Sequence, residues 1–121
     1  MDTKIKVTGS VILTDELQSF IGKKVEKLGV FLKGDSTALA AIEVGTTSAG
    51  QRTGDVFRGE IHLTFTGGNL YAEAVHSTLH GAIDATVGEM RRELRKVKTK
   101  NRDMVRRGAS QVKKFFQEFG K

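Results

Sequence analysis

Three sets of residues in this chain are of types that do chemistry. His76 and His80 stand four apart, a spacing that on a helix brings two imidazoles to one face, as in zinc sites. The glutamate of an H-E-x-x-H pattern is missing between them and no third ligand is evident, so no metal site is expected. Glu43, Glu60, His62 and Glu73 occupy outward positions of alternating segments and could pair across strands. A flat, solvated sheet face neither excludes water nor fixes a substrate, so no acid–base active site is expected there. The third set is cationic. Arg91, Arg95, Lys98 and Arg102 follow i, i+4, i+7, i+11 spacing with no carboxylate interrupting them, and Arg92, Lys96 and Lys100 run alongside. A rigid cationic helix face suits a phosphate backbone. The chemistry expected is therefore binding, with no catalytic residue, no cofactor and no small-molecule substrate.

Charge is segregated along the chain. Residues 91–121 hold 12 Lys or Arg against three acids, a balance of +9, whereas residues 1–90 hold eight against 11, a balance of −3. Segregation of this kind fits an electrostatic footprint for a polyanion, or else a solvated lysine-rich helix end at the negative pole of the helix dipole, the commoner case for a charge run alone. With 121 residues, 38% of them apolar, the chain has the size of one domain with one core. There is no cysteine, which excludes disulfides and thiolate metal sites and fits a reducing compartment. No run approaches the roughly 18 apolar residues of a membrane span, and the N-terminus lacks a signal-peptide core. A soluble cytoplasmic protein without membrane partners is expected.

The basic residues must be positioned by the elements that carry them. Leu79, Ile83, Val87, Met90, Leu94 and Val97 recur in steps of three and four, one continuous apolar stripe down a helix within Ser77–Arg102. Asp84, near its start, suits the helix dipole and needs no catalytic role. Lys4 to Thr8 alternates as a short half-buried strand. Thr14 is a candidate N-cap for a first helix, with Asp15 and Glu16 in its first turn. That helix buries Leu17, Phe20, Ile21, Val25, Leu28 and Leu32, ends near Gly29 or Gly34, and carries a second basic cluster, Lys23, Lys24 and Lys27. Residues 39–44 alternate as another strand. The stretch Gly45–Asp55 reads as a glycine-rich hairpin loop; it lacks Walker and dinucleotide spacings, so nucleotide binding is not expected, although Arg52 could touch a polyanion. Phe57 to Thr66 is the clearest strand, Gly67 to Asn69 a tight turn, and Leu70 to Val75 a fourth strand.

The order is β-α-β-β-β-α, a two-layer α+β domain with a four-stranded sheet, its last three strands an antiparallel meander and both helices on one face. An RNA-recognition motif has a different order and stacks bases on exposed sheet aromatics, of which Tyr71 alone is expected here. Without the first strand the order is that of a double-stranded RNA-binding domain, which reads phosphates and shape with helices and loops. RNA is the leading polyanion.

KKVEKL at 23–28, the β-meander, and LHGAIDATVGEMRRELRKVKTKNRD at 79–103 resemble the ribosome hibernation-promoting factor family, also called ribosome-associated inhibitors or sigma-54 modulation proteins. The most specific part is Ala82-Ile83-Asp84 followed by the Leu94-Arg95-Lys96-Val97-Lys98 pattern. The resemblance implies binding to the small ribosomal subunit, between head and body, where the protein would cover the decoding sites of messenger and transfer RNA and inhibit translation by occupancy. It places RNA contacts on Lys24, Lys27, Arg91, Arg92, Arg95, Lys96, Lys98 and Lys100; facial geometry adds Lys23 and Arg102. The alternative is a structured-RNA-binding module without ribosome specificity. Long members of the family append a ribosome-pairing domain for which this chain is too short, so a short form, monomeric off the ribosome, is expected.

Residues 1–108 are expected to form the ribosome-binding domain, with Asn101 and Gly108 as break points before an amphipathic tail, 109–121. In that tail Val112, Phe115, Phe116 and Phe119 keep helical spacing. Its preferred place is the domain's own core; a ribosomal protein or a membrane surface are the other two.

Overall fold

The computed structural model describes residues 1–47 and 56–107, with side chains described as far as residue 97. The elements are β1 (Asp2–Val7), α1 (Asp15–Glu26), a 3₁₀ helix (Lys27–Leu32), β2 (Leu39–Thr46), β3 (Phe57–Phe65), β4 (Gly68–His76) and α2 (Leu79–Arg107). The order is the β-α-β-β-β-α read from the sequence.

The strands lie in the order β1-β2-β3-β4. β2, β3 and β4 form the expected antiparallel meander, while β1 runs parallel to β2, which makes the sheet mixed. A parallel pair needs a crossover, and α1 supplies it. Pairing brings Ile5, Ile42, Ile61 and Ala72 into one row across the sheet, and Val7, Val44, Gly59 and Ala74 into another. Both rows face the helices. Ile42, Val44, Ile61 and Leu63 of the sheet, Leu17, Ile21 and Val25 of α1, and Ile83, Val87, Met90 and Leu94 of α2 form one buried cluster. Leu79 packs against its edge, and Val97 is half-buried.

The buried face of α2 is wider than its apolar stripe, since Ala82 and Thr86 are buried too. The Thr86 hydroxyl donates to the Ala82 carbonyl at 2.6 Å. A Cβ at Gly59 would stand 2.6 Å from that hydroxyl oxygen and 3.3 Å from that carbonyl. Glycine at position 59 therefore lets α2 settle directly onto β3.

Several boundaries differ from those expected. The α-helical geometry of α1 ends at Glu26, and the chain tightens into the 3₁₀ helix before turning at Gly34, whose φ is +83°. A three-residue period lines up Leu28 with Phe31, which keeps both against the core. Asn101 does not break α2, which continues to Arg107. Asparagine costs a helix interior only about 0.7 kcal/mol, too little to stop a helix already propagating. Gly45 and Thr46 belong to β2, and beyond them the Thr47 N–H donates to the Val56 carbonyl at 2.8 Å, so the expected loop begins later than Gly45. The β3–β4 turn is only Thr66-Gly67, with Phe65 paired to Gly68 and Asn69 already in β4. Residues 48–55 with Arg52, the break expected at Gly108 and the tail 109–121 lie outside the described residues.

Candidate nucleic-acid interface

The two helices that carry the cations are held by their caps and by each other. Thr14 caps α1, its hydroxyl accepting the Leu17 N–H at 3.1 Å. Thr78 does the same for α2, accepting the Gly81 N–H at 3.0 Å, while its own N–H donates to His76 Nδ1 at 3.1 Å. Phe20 of α1 meets the His80 ring of α2 edge to face, with centroids 4.3 Å apart. Four residues further along both helices, Lys24 Nζ pairs with Asp84 at 2.8 Å. Equal steps in the same direction mean that α1 and α2 lie side by side and parallel.

These contacts also place the histidines and Asp84. His76 ends β4 and His80 faces Phe20, so the two histidines do not share a helix face. Among the described residues no group of three His, Cys, Asp or Glu is placed to hold a metal ion. Asp84 is near the start of α2, in its second turn, and its carboxylate serves Lys24 across the helix interface.

The structure sorts the predicted cations. Lys24 is tied to Asp84, Arg92 to Glu89 at 3.0 Å, and Lys96 to Glu93 at 3.3 Å. The Asp84 hydrogen bond and charge raise the Lys24 pKa above its ordinary value. Lys23, Lys27, Arg91 and Arg95 make no ion pair among the described residues. Lys23, Lys27 and Arg95 are exposed. Arg91 is half-buried and its Nε is enclosed without a hydrogen-bond partner. A buried, unsatisfied donor of this kind costs about 1–3 kcal/mol. Lys98, Lys100 and Arg102 continue α2, with side chains outside the described residues.

The opposite, solvent-facing side of the sheet is a different kind of surface. Glu43, Glu60 and Glu73 stand in one register row, as the alternation suggested, with Lys6 at its end. Sequence reasoning missed the residues that hold this row together, Arg58 and Tyr71. The Arg58 guanidinium donates to Glu60 at 3.2 Å and to Tyr71 at 3.1 Å, and it also pairs with Glu73. The Tyr71 hydroxyl donates to Glu73 at 2.8 Å and also bonds Glu60. Those two carboxylates push the Tyr71 pKa up, and Arg58 pulls that of Glu73 down. The network holds Tyr71 as a neutral donor and Glu73 as an anion. The signal that would have found it is the outward alternation of positions 58 and 60 against 71 and 73.

Residues 5–102 match the family model described as "Sigma 54 modulation protein / S30EA ribosomal protein". No curated protein matches the chain. Among solved structures, the chain is similar to the Thermus thermophilus Protein Y N-terminal domain, with a TM-score of 0.68 and 18% identity over 80% of this chain and 99% of that one. It is also similar to a ribosomal subunit interface protein from Coxiella burnetii, with a TM-score of 0.68 and 15% identity over 82% of this chain and 99% of that one. At such identities these structures speak for the fold, which is the same two-layer α+β arrangement. The family match covers most of the chain, and the protein belongs to the Sigma 54 modulation protein / S30EA ribosomal protein family.

Proposed function

We propose that this protein binds the small ribosomal subunit through the face formed by α1 and α2, occupies the decoding region and keeps messenger and transfer RNA out. Translation stops by occupancy, without catalysis and without a cofactor, and the protein acts in the cytoplasm as a monomer when off the ribosome. Family membership supports the ribosomal address. The observation that carries the rest is the parallel packing of α1 and α2, which sets Lys23 and Lys27 beside the helix of Arg91 and Arg95, all unpaired among the described residues. Arginine offers phosphate a bidentate fork and lysine adds charge without fixed geometry. Ribosomal RNA is the partner of this face, and ribosomal proteins can border it. In this reading residues 1–108 are the binding domain, and Lys98, Lys100 and Arg102 extend its RNA contacts.

Co-sedimentation with purified small subunits at moderate salt tests the proposal. One copy retained per subunit, displaced by transfer RNA but not by unrelated folded RNA, is the expected result. Displacement by any RNA would reduce the protein to a general structured-RNA-binding module.

A further inference from the structure

Alongside the four cations Arg91, Arg92, Arg95 and Lys96 of α2, the acids Glu89 and Glu93 stand on one flank, while Asp84 on the other is taken up by Lys24. With about 3.6 residues per turn, successive residues are rotated by roughly 100° around the helix axis. Arg91 and Arg95 then fall on the flank of Asp84, the residue that meets α1 through Lys24. Arg92 and Lys96 come next around the exposed arc, and Glu89 and Glu93 lie beyond them, on the flank away from α1. Each glutamate holds the cation three residues on, at 3.0 Å for Glu89–Arg92 and 3.3 Å for Glu93–Lys96. Residues 79–97 of α2 carry four Lys or Arg and three acids, so this segment has a formal charge of only +1.

Resting on the RNA-binding reading above, we infer that Glu89 and Glu93 are specificity-determining residues that confine phosphate to the groove between α1 and α2. An RNA backbone lying across the outer flank of α2 meets two carboxylates and two cations already engaged by them. One that follows the flank of α2 facing α1 meets Lys23 and Lys27 on α1 and then, one to two turns further along α2, Arg91 and Arg95. The acids thus penalise arbitrary polyanions and leave the groove's own partner untouched, which is discrimination by repulsion at the border of an attractive surface.

The test measures binding of wild type, E89Q/E93Q and D2N/E43Q to small subunits and to an unrelated folded hairpin RNA across a salt series. Glutamine is a good helix former, so α2 persists; D2N/E43Q adds the same charge on the solvent face of the sheet, away from both helices. E89Q/E93Q is expected to bind the hairpin about fivefold more tightly, from two surface pairs released, with a salt slope steeper by about one to two. Subunit affinity should change by less than about twofold, and D2N/E43Q should leave the ratio of the two affinities at its wild-type value. Equal gains on both RNAs, no gain on the hairpin, or the same gain from D2N/E43Q would overturn the inference while wild-type subunit binding stands. Absence of wild-type subunit binding would overturn the functional reading and this inference with it.

Discussion

Lys24 Nζ lies 2.8 Å from a carboxylate oxygen of Asp84, so one of the cations expected to meet RNA also ties α1 to α2. The same ammonium stands 5.4 Å from the centre of the Phe20 ring, which His80 closes from the other helix. The pair raises the Lys24 pKa from 10.5, chiefly through the Asp84 hydrogen bond. A raised folded-state pKa gives stability that is complete below the unfolded value of 10.5 and is lost as pH rises through the folded one. Thermal melts of wild type and D84N between about pH 9 and 12 should therefore converge toward the alkaline end. A constant gap would separate Asp84 from the titration of Lys24.

Arg95 and Arg92 are near neighbours on α2 in different surroundings. Arg95 is exposed and unpaired among the described residues, whereas Arg92 is engaged by Glu89. R95A should weaken small-subunit binding about tenfold, the loss of roughly one charge-assisted hydrogen bond. R92A should weaken it about twofold, because the phosphate never had the whole guanidinium. Titration of labelled protein with subunits at fixed salt checks the order; the reverse order would mean that the Glu89 pair opens on binding.

Gly59 is a test of the α2–β3 packing. G59A places a Cβ 2.6 Å from the Thr86 hydroxyl oxygen, which must move in a filled core. Overpacking of this kind costs about 1–3 kcal/mol. The double variant G59A/T86A should recover part of that loss, since it removes the colliding atom. Denaturant unfolding of the two variants and wild type measures both quantities.

Asp35 joins two turns. Its carboxylate accepts from the N–H and hydroxyl of Thr37 at 3.0 and 2.6 Å and from the N–H and hydroxyl of Thr66 at 2.7 and 3.1 Å. The Thr37 hydroxyl, then the Thr66 backbone N–H, lower its pKa from 3.8 to about 2. A depressed folded-state value gives stability that is present above pH 3.8 and is lost as pH falls through about 2. Unfolding curves of wild type and D35N should differ most above pH 3.8 and draw together toward pH 2. A gap that persists at the acid end would mean that the protonated carboxyl bonds the threonines as well as the anion does.

The elements were legible because each has a period. The α2 stripe Ile83, Val87, Met90 and Leu94 is buried as its spacing requires, and the alternation in β3 places Ile61 and Leu63 inside and Glu60 and His62 outside. The resemblance in Ala82-Ile83-Asp84 and the basic run after it led to the family that the match over residues 5–102 shows. What period cannot encode is direction and partnership. Nothing in KIKVT says whether β1 runs with β2 or against it; that is fixed by the crossover through α1. Nor does spacing say which cations are occupied, because Lys24 and Asp84 are 60 residues apart in the chain and meet only when two helices pack. Glu89 and Glu93 were in plain view one turn before Arg92 and Lys96, and the i,i+3 rule would have paired them.

The length of α2 gives the molecule a lever. At about 1.5 Å per residue its 29 residues span roughly 43 Å. Nine-residue strands reach about 30 Å and four strands about 14 Å across, so even the diagonal of the sheet is near 33 Å. About 10 Å of helix must project past the sheet that supports it. Force applied to the far end would be carried along the helix to Met90 and Leu94 in the core.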